Sequence, residues 1–556
     1  MIKTTSFRYR VTALVLAGVM AAAPLAACGQ RNTGAEQYDA KLTETAESGT
    51  YAPDGAYAAT EAYEGEVSYT DTGWLESFNT EEYAAVNEGG FIAVATPPLS
   101  TVSADVDTAS WCNLRRMVRD GYRIAGSGDE GIDIIQDAED EWDYYDDLVI
   151  PAGAVRIEEM LNYFGYDYAA PTGDERFSVT THLGACPWND KTELLTLGFA
   201  TAPEDVATEK GRNLVFLIDV SGSMDDADKL DLLKDSFGEL VKKLDANDRV
   251  SIVTYASGEE LVLDGVSGDQ GRTIMRAINR LHADGSTNGE RGLELAYEVA
   301  ERNFIEGGVN RIVMASDGDL NVGMTSESDL HDYVSKKRET GVYLSVLGFG
   351  AGNYKDTKME TLADDGNGSY HYIDCKEEAE RVFGERLSAN LVPFADDVKV
   401  QIEFNPAQVK AYRLIGYENR EMADEDFRDD TVDAGDVGPG AQFTVAYEIV
   451  RADSDFELGV GDLKYQESVA TGSDEWLTAT VRYHAFDDDA VHEQTKVVDE
   501  DAWQADPGED WRFQAAVIEL GMLMRDSEHA GTSSLDDVRT LAGEDRDGFL
   551  DVVESL

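Results

Sequence analysis

The sequence predicts an α/β protein: a doubly wound, mostly parallel sheet at the centre, flanked by α+β and β-sandwich-like regions. Three observations carry this. Between about residues 211 and 390, short apolar runs without polar alternation recur between stretches of helical spacing, the pattern of strands buried on both faces. From Asp396 the apolar period changes to two, as in Val398, Val400, Ile402 and Phe404, which marks a sheet with one buried face. The chain has 556 residues, more than one core usually holds, so roughly two or three domains are expected.

In chain order, Lys3, Arg8 and Arg10 precede an apolar stretch from Val11 to Ala23, too short for a stable membrane span. Leu25-Ala26-Ala27-Cys28 resembles the bacterial lipobox, whose cysteine is lipidated after cleavage. Residues 1–28 are therefore expected to be a lipoprotein signal peptide. Cys28 would carry the lipid and anchor the chain to the outer face of the cytoplasmic membrane, in a bacterial cell envelope. Residues 29–90 are rich in Ala, Glu, Thr, Tyr and Gly and read as a disordered acidic tether. As a flexible coil it would span about 45 Å.

Residues 91–208 form an α+β region. Asp107 or Thr108 caps a helix, Val155 to Tyr163 has helical spacing, and Arg176–Gly184 and Thr192–Phe199 alternate like strands. The acidic stretch Asp129–Asp147 reads as a surface insertion. In the central domain, residues 209–391, the run Leu214–Ile218 is a buried strand. The next helix carries Leu230, Leu233, Phe237, Leu240 and Leu244 on one face. Arg249–Tyr255 and a short edge strand at Leu261–Leu263 follow, then a helix near 269–281. Another helix presents Leu293, Tyr297, Ala300 and Phe304. Strands at Arg311–Ala315, Val342–Leu347 and Ser369–Ile373 complete a sheet of five or six strands with right-handed crossovers. Residues 392–556 are a β-rich region, most simply part of a β-sandwich, ending in helices such as Trp511–Arg525.

The chemistry concentrates at strand ends. Asp219, Ser221 and Ser223 stand at alternate positions of the loop that ends the Leu214–Ile218 run. Thr287 lies in the turn Asp284-Gly285-Ser286-Thr287, and Asp317 ends the Arg311–Ala315 strand. Ligands of open parallel sheets bind outside the carboxyl ends of strands, at the switch point. Hydroxyl and carboxylate oxygens are what a hard divalent cation takes.

These pieces together resemble the von Willebrand factor type A domain and its metal-ion-dependent adhesion site: D-x-S-x-S, a distant Thr, and a strand-terminal Asp before Gly. Carried over, the resemblance makes Asp219, Ser221, Ser223, Thr287 and Asp317 the metal set. The ion would be Mg²⁺, with Mn²⁺ or Ca²⁺ as alternatives. It implies a protein partner that presents an acidic residue to the open coordination position. Ala154–Tyr168, Asn303–Gly323, Val398–Arg420 and Trp511–Val538 are similar to the bacterial YfbK-like lipoproteins, which carry this domain between N-terminal and C-terminal family-specific regions.

Other chemistry is weak here. Acidic residues number 110 against 46 basic, a formal charge of -64, which argues against nucleic-acid binding. There is no G-x-S-x-G elbow and no H-E-x-x-H pair, and no catalytic residue is assigned, so an enzyme is not expected. The turn at Gly348–Gly352 lacks a full nucleotide fingerprint. The segment from Gly543 lacks the first ligand of a calcium loop. Two competing readings are a scaffold whose ion only stiffens the loops and a metal-dependent hydrolase or transferase. Cys112 and Cys186 are either a bridged pair or buried single thiols. The strands at 176–199 and the sheet from 396 are expected to pack into one support from which the central domain projects.

Overall fold

The computed structural model describes residues 80–125, 148–203, 210–287, 289–318, 327–458, 472–486 and 490–556. The signal segment with Cys28, most of the acidic tether and the insertion at 129–147 lie outside the described residues. Among the described residues, no helix is long and apolar enough to cross a membrane.

The central domain is a six-stranded sheet. Its strands are β1 (Arg212–Asp219), β2 (Arg249–Tyr255), β3 (Glu259–Ser267), β4 (Val309–Ser316), β5 (Tyr343–Phe349) and β6 (Tyr370–Ile373), in the order β6-β5-β4-β1-β2-β3. All pairings are parallel except β2 with β3. Its longer helices are α1 (Leu232–Val241), α2 (Gly271–Ile278), α3 (Gly289–Arg302), α4 (Glu327–Arg338) and α5 (Asp356–Asp365).

Strand β1 shows why its sequence lacks alternation: all eight of its residues are buried. Leu214, Phe216 and Ile218 join one apolar core with Leu233, Phe237 and Leu240 of α1. Val215 and Leu217 join another with Leu293, Ala296 and Tyr297 of α3. Because both faces are covered, the central run Leu214–Ile218 is apolar without alternation. The chain runs from β1 to β2 and β3 on one side, then crosses to β4 on the other. The switch point is thus the crevice at the carboxyl ends of β1 and β4.

The flanking regions interleave in two sheets. One has the order Ile92–Ala93, Val409–Ile415, Gln442–Arg451, Glu193–Thr201, Phe177–Ala185. The other runs Glu421–Met422, Leu99–Ser103, Ala395–Phe404, Leu477–Ala485, Ala490–Val498. One apolar core draws on both sheets, which makes them a β-sandwich. Phe199 from before the central domain lies opposite Phe443 from after it, their rings stacked with centroids 4.7 Å apart. The strands at 177–201 and the sheet from 395 therefore do form one support.

The central domain does not project freely from it, however. The helix Ala109–Arg119 packs on β6, and the core containing Val215 and Tyr297 continues into Trp111, Met160 and Phe513 of the flanking helices. Polar bonds fix the junction. Thr108 Oγ1 lies 3.0 Å from His371 Nδ1, and the Tyr370 N–H donates to Asp107 at 2.8 Å. Thr108 precedes the helix as expected, but its hydroxyl serves this contact and makes no cap bond.

Two sequence expectations need correction, and one open alternative is decided. Residues 80–90 belong to the folded part: Thr80 N–H donates to Gly352 O at 2.7 Å, and Tyr83 packs on the core. The α3 helix ends at Arg302, so Phe304 leaves the helical face and is 36% exposed. Cys112 and Cys186 are free and buried rather than bridged. Cys112 instead shares the guanidinium of Arg115 with Cys375, each sulfur 3.7 Å from its Nη2.

Candidate metal centre

Asp219 is the last residue of β1 and is fully buried, as is Asp317, which follows the last residue of β4. The loop after Asp219 folds back on that carboxylate: the Ser221 N–H donates to Asp219 Oδ1 at 2.8 Å. Ser316 donates its hydroxyl to Asp219 Oδ2 at 3.2 Å, tying the ends of β1 and β4 together. Ser221 Oγ and Ser223 Oγ are 3.0 Å apart. Met224 anchors this loop by burying its side chain in the core against α1.

The Thr287 turn is brought to the same place by backbone bonds. The Gly222 N–H donates to Gly285 O at 3.0 Å, and the Asp284 N–H donates to Val220 O at 2.8 Å. The Ser286 N–H donates to Ser257 Oγ at 3.0 Å, bracing the turn against the loop after β2. Thr287 is 7% exposed. The structure thus gathers the loops bearing the five predicted residues at the switch-point crevice.

Three residues at the site were not predicted: Ser316, Lys229 and Asn353. A wide π turn over Ala227–Asp231 delivers Lys229, whose Nζ lies 3.2 Å from Asp317 Oδ2 and 3.1 Å from Asn353 Oδ1. Asn353 Nδ2 donates to the same Asp317 oxygen at 3.1 Å. Gly350 makes room for this lysine. Its φ is +75°, and a Cβ there would stand 2.2 Å from Lys229 Cε. The Gly-rich turn at Gly348–Gly352 thus has a specific steric task. Nothing in the local sequence marks Lys229, which stands just ahead of the α1 apolar face.

The electrostatics favour a cation. Burial pushes the Asp219 carboxyl up to about 6; its hydrogen bonding to Ser221 pulls it down, and the Asp317 charge pushes it further up. Two buried carboxylates therefore repel each other, and the Lys229 ammonium pairs with that of Asp317. Among the described residues no group of three or more His, Cys, Asp or Glu side chains could hold a metal ion. A site here must draw on hydroxyls, and Ser221, Ser223 and Thr287 supply them. The donor set, hard oxygens with two carboxylates, fits a hard divalent cation.

Comparison with known proteins agrees with this architecture. The von Willebrand factor type A domain family matches residues 213–385. "Uncharacterized protein YfbK, C-terminal" matches residues 389–552. Over 485 residues the chain is 37% identical to "Uncharacterized protein YfbK" of Escherichia coli K12, covering 84% of this chain and 79% of that one. The chain belongs to the YfbK-like family of von Willebrand factor type A proteins. A von Willebrand factor family also matches residues 77–127 and 145–196 of this YfbK-like chain.

More distantly, the YfbK-like chain is 27% identical to mouse "Inter alpha-trypsin inhibitor, heavy chain 4" over 157 residues, 27% of this chain and 16% of that one. Among solved structures, "von Willebrand factor type A from Catenulispora acidiphila" is similar at 17% identity. It covers 68% of this chain and 88% of its own, with a TM-score of 0.40. The "ArnB paralog VWA2 from Sulfolobus acidocaldarius" covers 68% and 93% at 17% identity, with a TM-score of 0.35. Von Willebrand factor type A domains often mediate metal-dependent protein interactions.

Proposed function

We propose that this YfbK-like protein is a cell-envelope lipoprotein whose type A domain binds a protein partner through a divalent cation, Mg²⁺ with Mn²⁺ or Ca²⁺ as substitutes. The observation that carries the reading is the convergence of the Asp219, Thr287 and Asp317 loops at the switch-point crevice with a hydroxyl-rich donor set. Ser221, Ser223 and Thr287 would hold the ion by neutral oxygens, and Asp219 and Asp317 by charge. When bound, the ion supplies an electrophilic position that a partner's Asp or Glu carboxylate can fill. The crevice's carboxylates and hydroxyls are the groups that would hold the ion, so we assign binding rather than catalysis.

Lipidation at Cys28 would place this module outside the cytoplasmic membrane, with the acidic segment as spacer. The acidic surface makes association with an acidic partner dependent on ionic strength. The test is affinity capture from envelope extract with Mg²⁺ and with EDTA, using wild type and Asp219→Ala. A partner captured only by wild type in Mg²⁺ supports the reading. Capture that ignores both EDTA and the substitution overturns it and leaves a scaffold.

A further inference from the structure

Ser316, Asp219 and Tyr255 end three neighbouring strands, β4, β1 and β2. Asp219 and Tyr255 are register partners, and Ser316 follows Ala315, the register partner of Ile218. Side chains two apart on a strand share a face. Met314, Leu217 and Val253, two residues before each of the three, all belong to the core on the α3 side. Ser316, Asp219 and Tyr255 therefore form one row on that face. The backbone holds the row together at one end, where the Val220 N–H donates to Tyr255 O at 3.0 Å. Helix α3 leaves room for the tyrosine: a Cβ at Gly292 would stand 2.7 Å from Tyr255 Cβ.

The ring of Tyr255 is core, packed with Leu293, Ala296 and Tyr297. Its oxygen is not explained by that packing. Tyr255 is fully buried, and its hydroxyl makes no hydrogen bond of acceptable geometry among the described residues. Yet Asp219 and Ser316 are its near polar neighbours. Their own bonds run elsewhere. Asp219 Oδ1 accepts from the Ser221 N–H and Oδ2 from the Ser316 hydroxyl, while Ser316 Oγ accepts from the Gly318 N–H at 3.0 Å. A buried hydroxyl left unmatched is unfavourable, and phenylalanine would fill the same space without that cost. The oxygen is thus a donor beside a carboxylate that does not use it in the metal-free chain. Carboxylates that ligate metals are themselves held by outer hydrogen bonds, which fix their orientation.

We propose that Tyr255 is a positioning residue for Asp219: its hydroxyl donates to the Asp219 carboxylate when the crevice holds a divalent cation, and so fixes how that carboxylate faces the ion. The inference rests on the metal reading above and adds to it a residue outside the D-x-S-x-S, Thr and Asp pattern. It gives β2 a part in the site beside β1 and β4.

The test is calorimetric titration of the purified protein with MgCl₂, wild type against Tyr255→Phe, beside urea unfolding of both in EDTA. Mg²⁺ binding at least about tenfold weaker in the variant is expected, the usual loss when an outer partner of a metal ligand is removed. The urea midpoint in EDTA should be no lower than that of wild type, because the oxygen removed has no partner there. A purely structural tyrosine does not produce this split. Tyr255→Phe that fails to fold, or that unfolds at lower urea in EDTA, shows the hydroxyl at work without the ion and overturns the proposal. Equal Mg²⁺ binding by the two proteins also overturns it and leaves the metal reading standing. Absence of Mg²⁺ binding by wild type overturns the metal reading, and the role of Tyr255 with it.

Discussion

Lys229 Nζ stands 3.2 Å from Asp317 Oδ2, an oxygen that also accepts a hydrogen bond from Asn353. The lysine side chain is 4% exposed and that of Asp317 is fully buried. An ammonium of the chain itself thus compensates one of the two carboxylates proposed to hold a metal. It makes Lys229 a positioning residue for Asp317 and sets the metal-free state of the crevice.

Removing one member of a buried pair costs about 3–5 kcal/mol, because a buried charge is left alone. Lys229→Met is expected to lower the unfolding free energy in EDTA by about 3 kcal/mol. A bound divalent ion would replace the lost charge, so Mg²⁺ should stabilise the variant more than wild type. Urea unfolding of both proteins with Mg²⁺ and with EDTA checks this. Equal Mg²⁺ effects on the two would mean that the ammonium and the ion do not address the same carboxylate.

Gly350→Ala tests how that lysine is admitted. The added Cβ would meet Lys229 Cε at 2.2 Å, and the backbone there, with φ +75°, disfavours any side chain. Strain of this kind costs about 1–3 kcal/mol. The variant is expected to lose that much in a thermal or urea melt. In the Lys229→Met background the loss should shrink toward the purely conformational share, because methionine can bend away. A double-mutant cycle measures the difference.

The parts of the fold that could be read from sequence were those decided locally. β1 and β4 carry unbroken apolar runs, Leu214–Ile218 and Ile312–Ala315, because helices cover both faces, and that pattern is visible in a single window. Their last residues, Asp219 and Ser316-Asp317, break the pattern abruptly and so mark the site. The errors arose from distant contacts. Residues 80–90 carry no apolar period, yet Thr80 bonds Gly352 and Tyr83 packs on a core formed by other elements. Phe304 has the spacing of the α3 face, but the helix stops two residues earlier, before the turn at Gly307-Gly308. The edge strand β3 runs Glu259–Ser267, well beyond Leu261–Leu263, because polar residues pair along an exposed edge without altering the apolar pattern. Lys229 is not legible as a site residue because nothing local shows that a π turn aims it inward.

The acidic junction around α5 predicts a pH dependence. Burial, with the Glu418 charge behind it, pushes the Glu158 carboxyl up to about 7. Burial also takes Glu159 up to about 8; Arg156 pulls it down and Asp105 pushes it up. Both groups hold a proton in the folded chain at pH values where the unfolded chain has released it. Their contribution to stability is therefore complete below about pH 4.5 and is lost as pH rises through 7 and 8. Urea midpoints should fall between about pH 6 and about pH 9 in EDTA. Glu158→Gln should flatten that slope, and an unchanged slope would remove Glu158 from the account.

Glu81 ties the first described residues to the loop that braces the candidate metal crevice. Its Oε2 accepts from Arg116 Nη2 at 3.0 Å, and its Oε1 accepts from the Gly352 N–H at 2.8 Å. Gly352 precedes Asn353, which holds Asp317, so one carboxylate braces the loop that braces the site. Both partners of the Arg116 pair are buried, 4% and 3% exposed, and charged hydrogen bonds of this sort contribute about 1.5–3 kcal/mol. Glu81→Ala is expected to cost about 2 kcal/mol, and amide exchange across residues 350–355 should quicken well beyond that of β1. Glu81→Gln keeps an acceptor for Gly352 but loses the charge for Arg116. It should therefore retain most of the loop's protection while losing much of the stability. If exchange at 350–355 followed global stability alone in both variants, Glu81 would be a structural ion pair with no particular hold on the crevice.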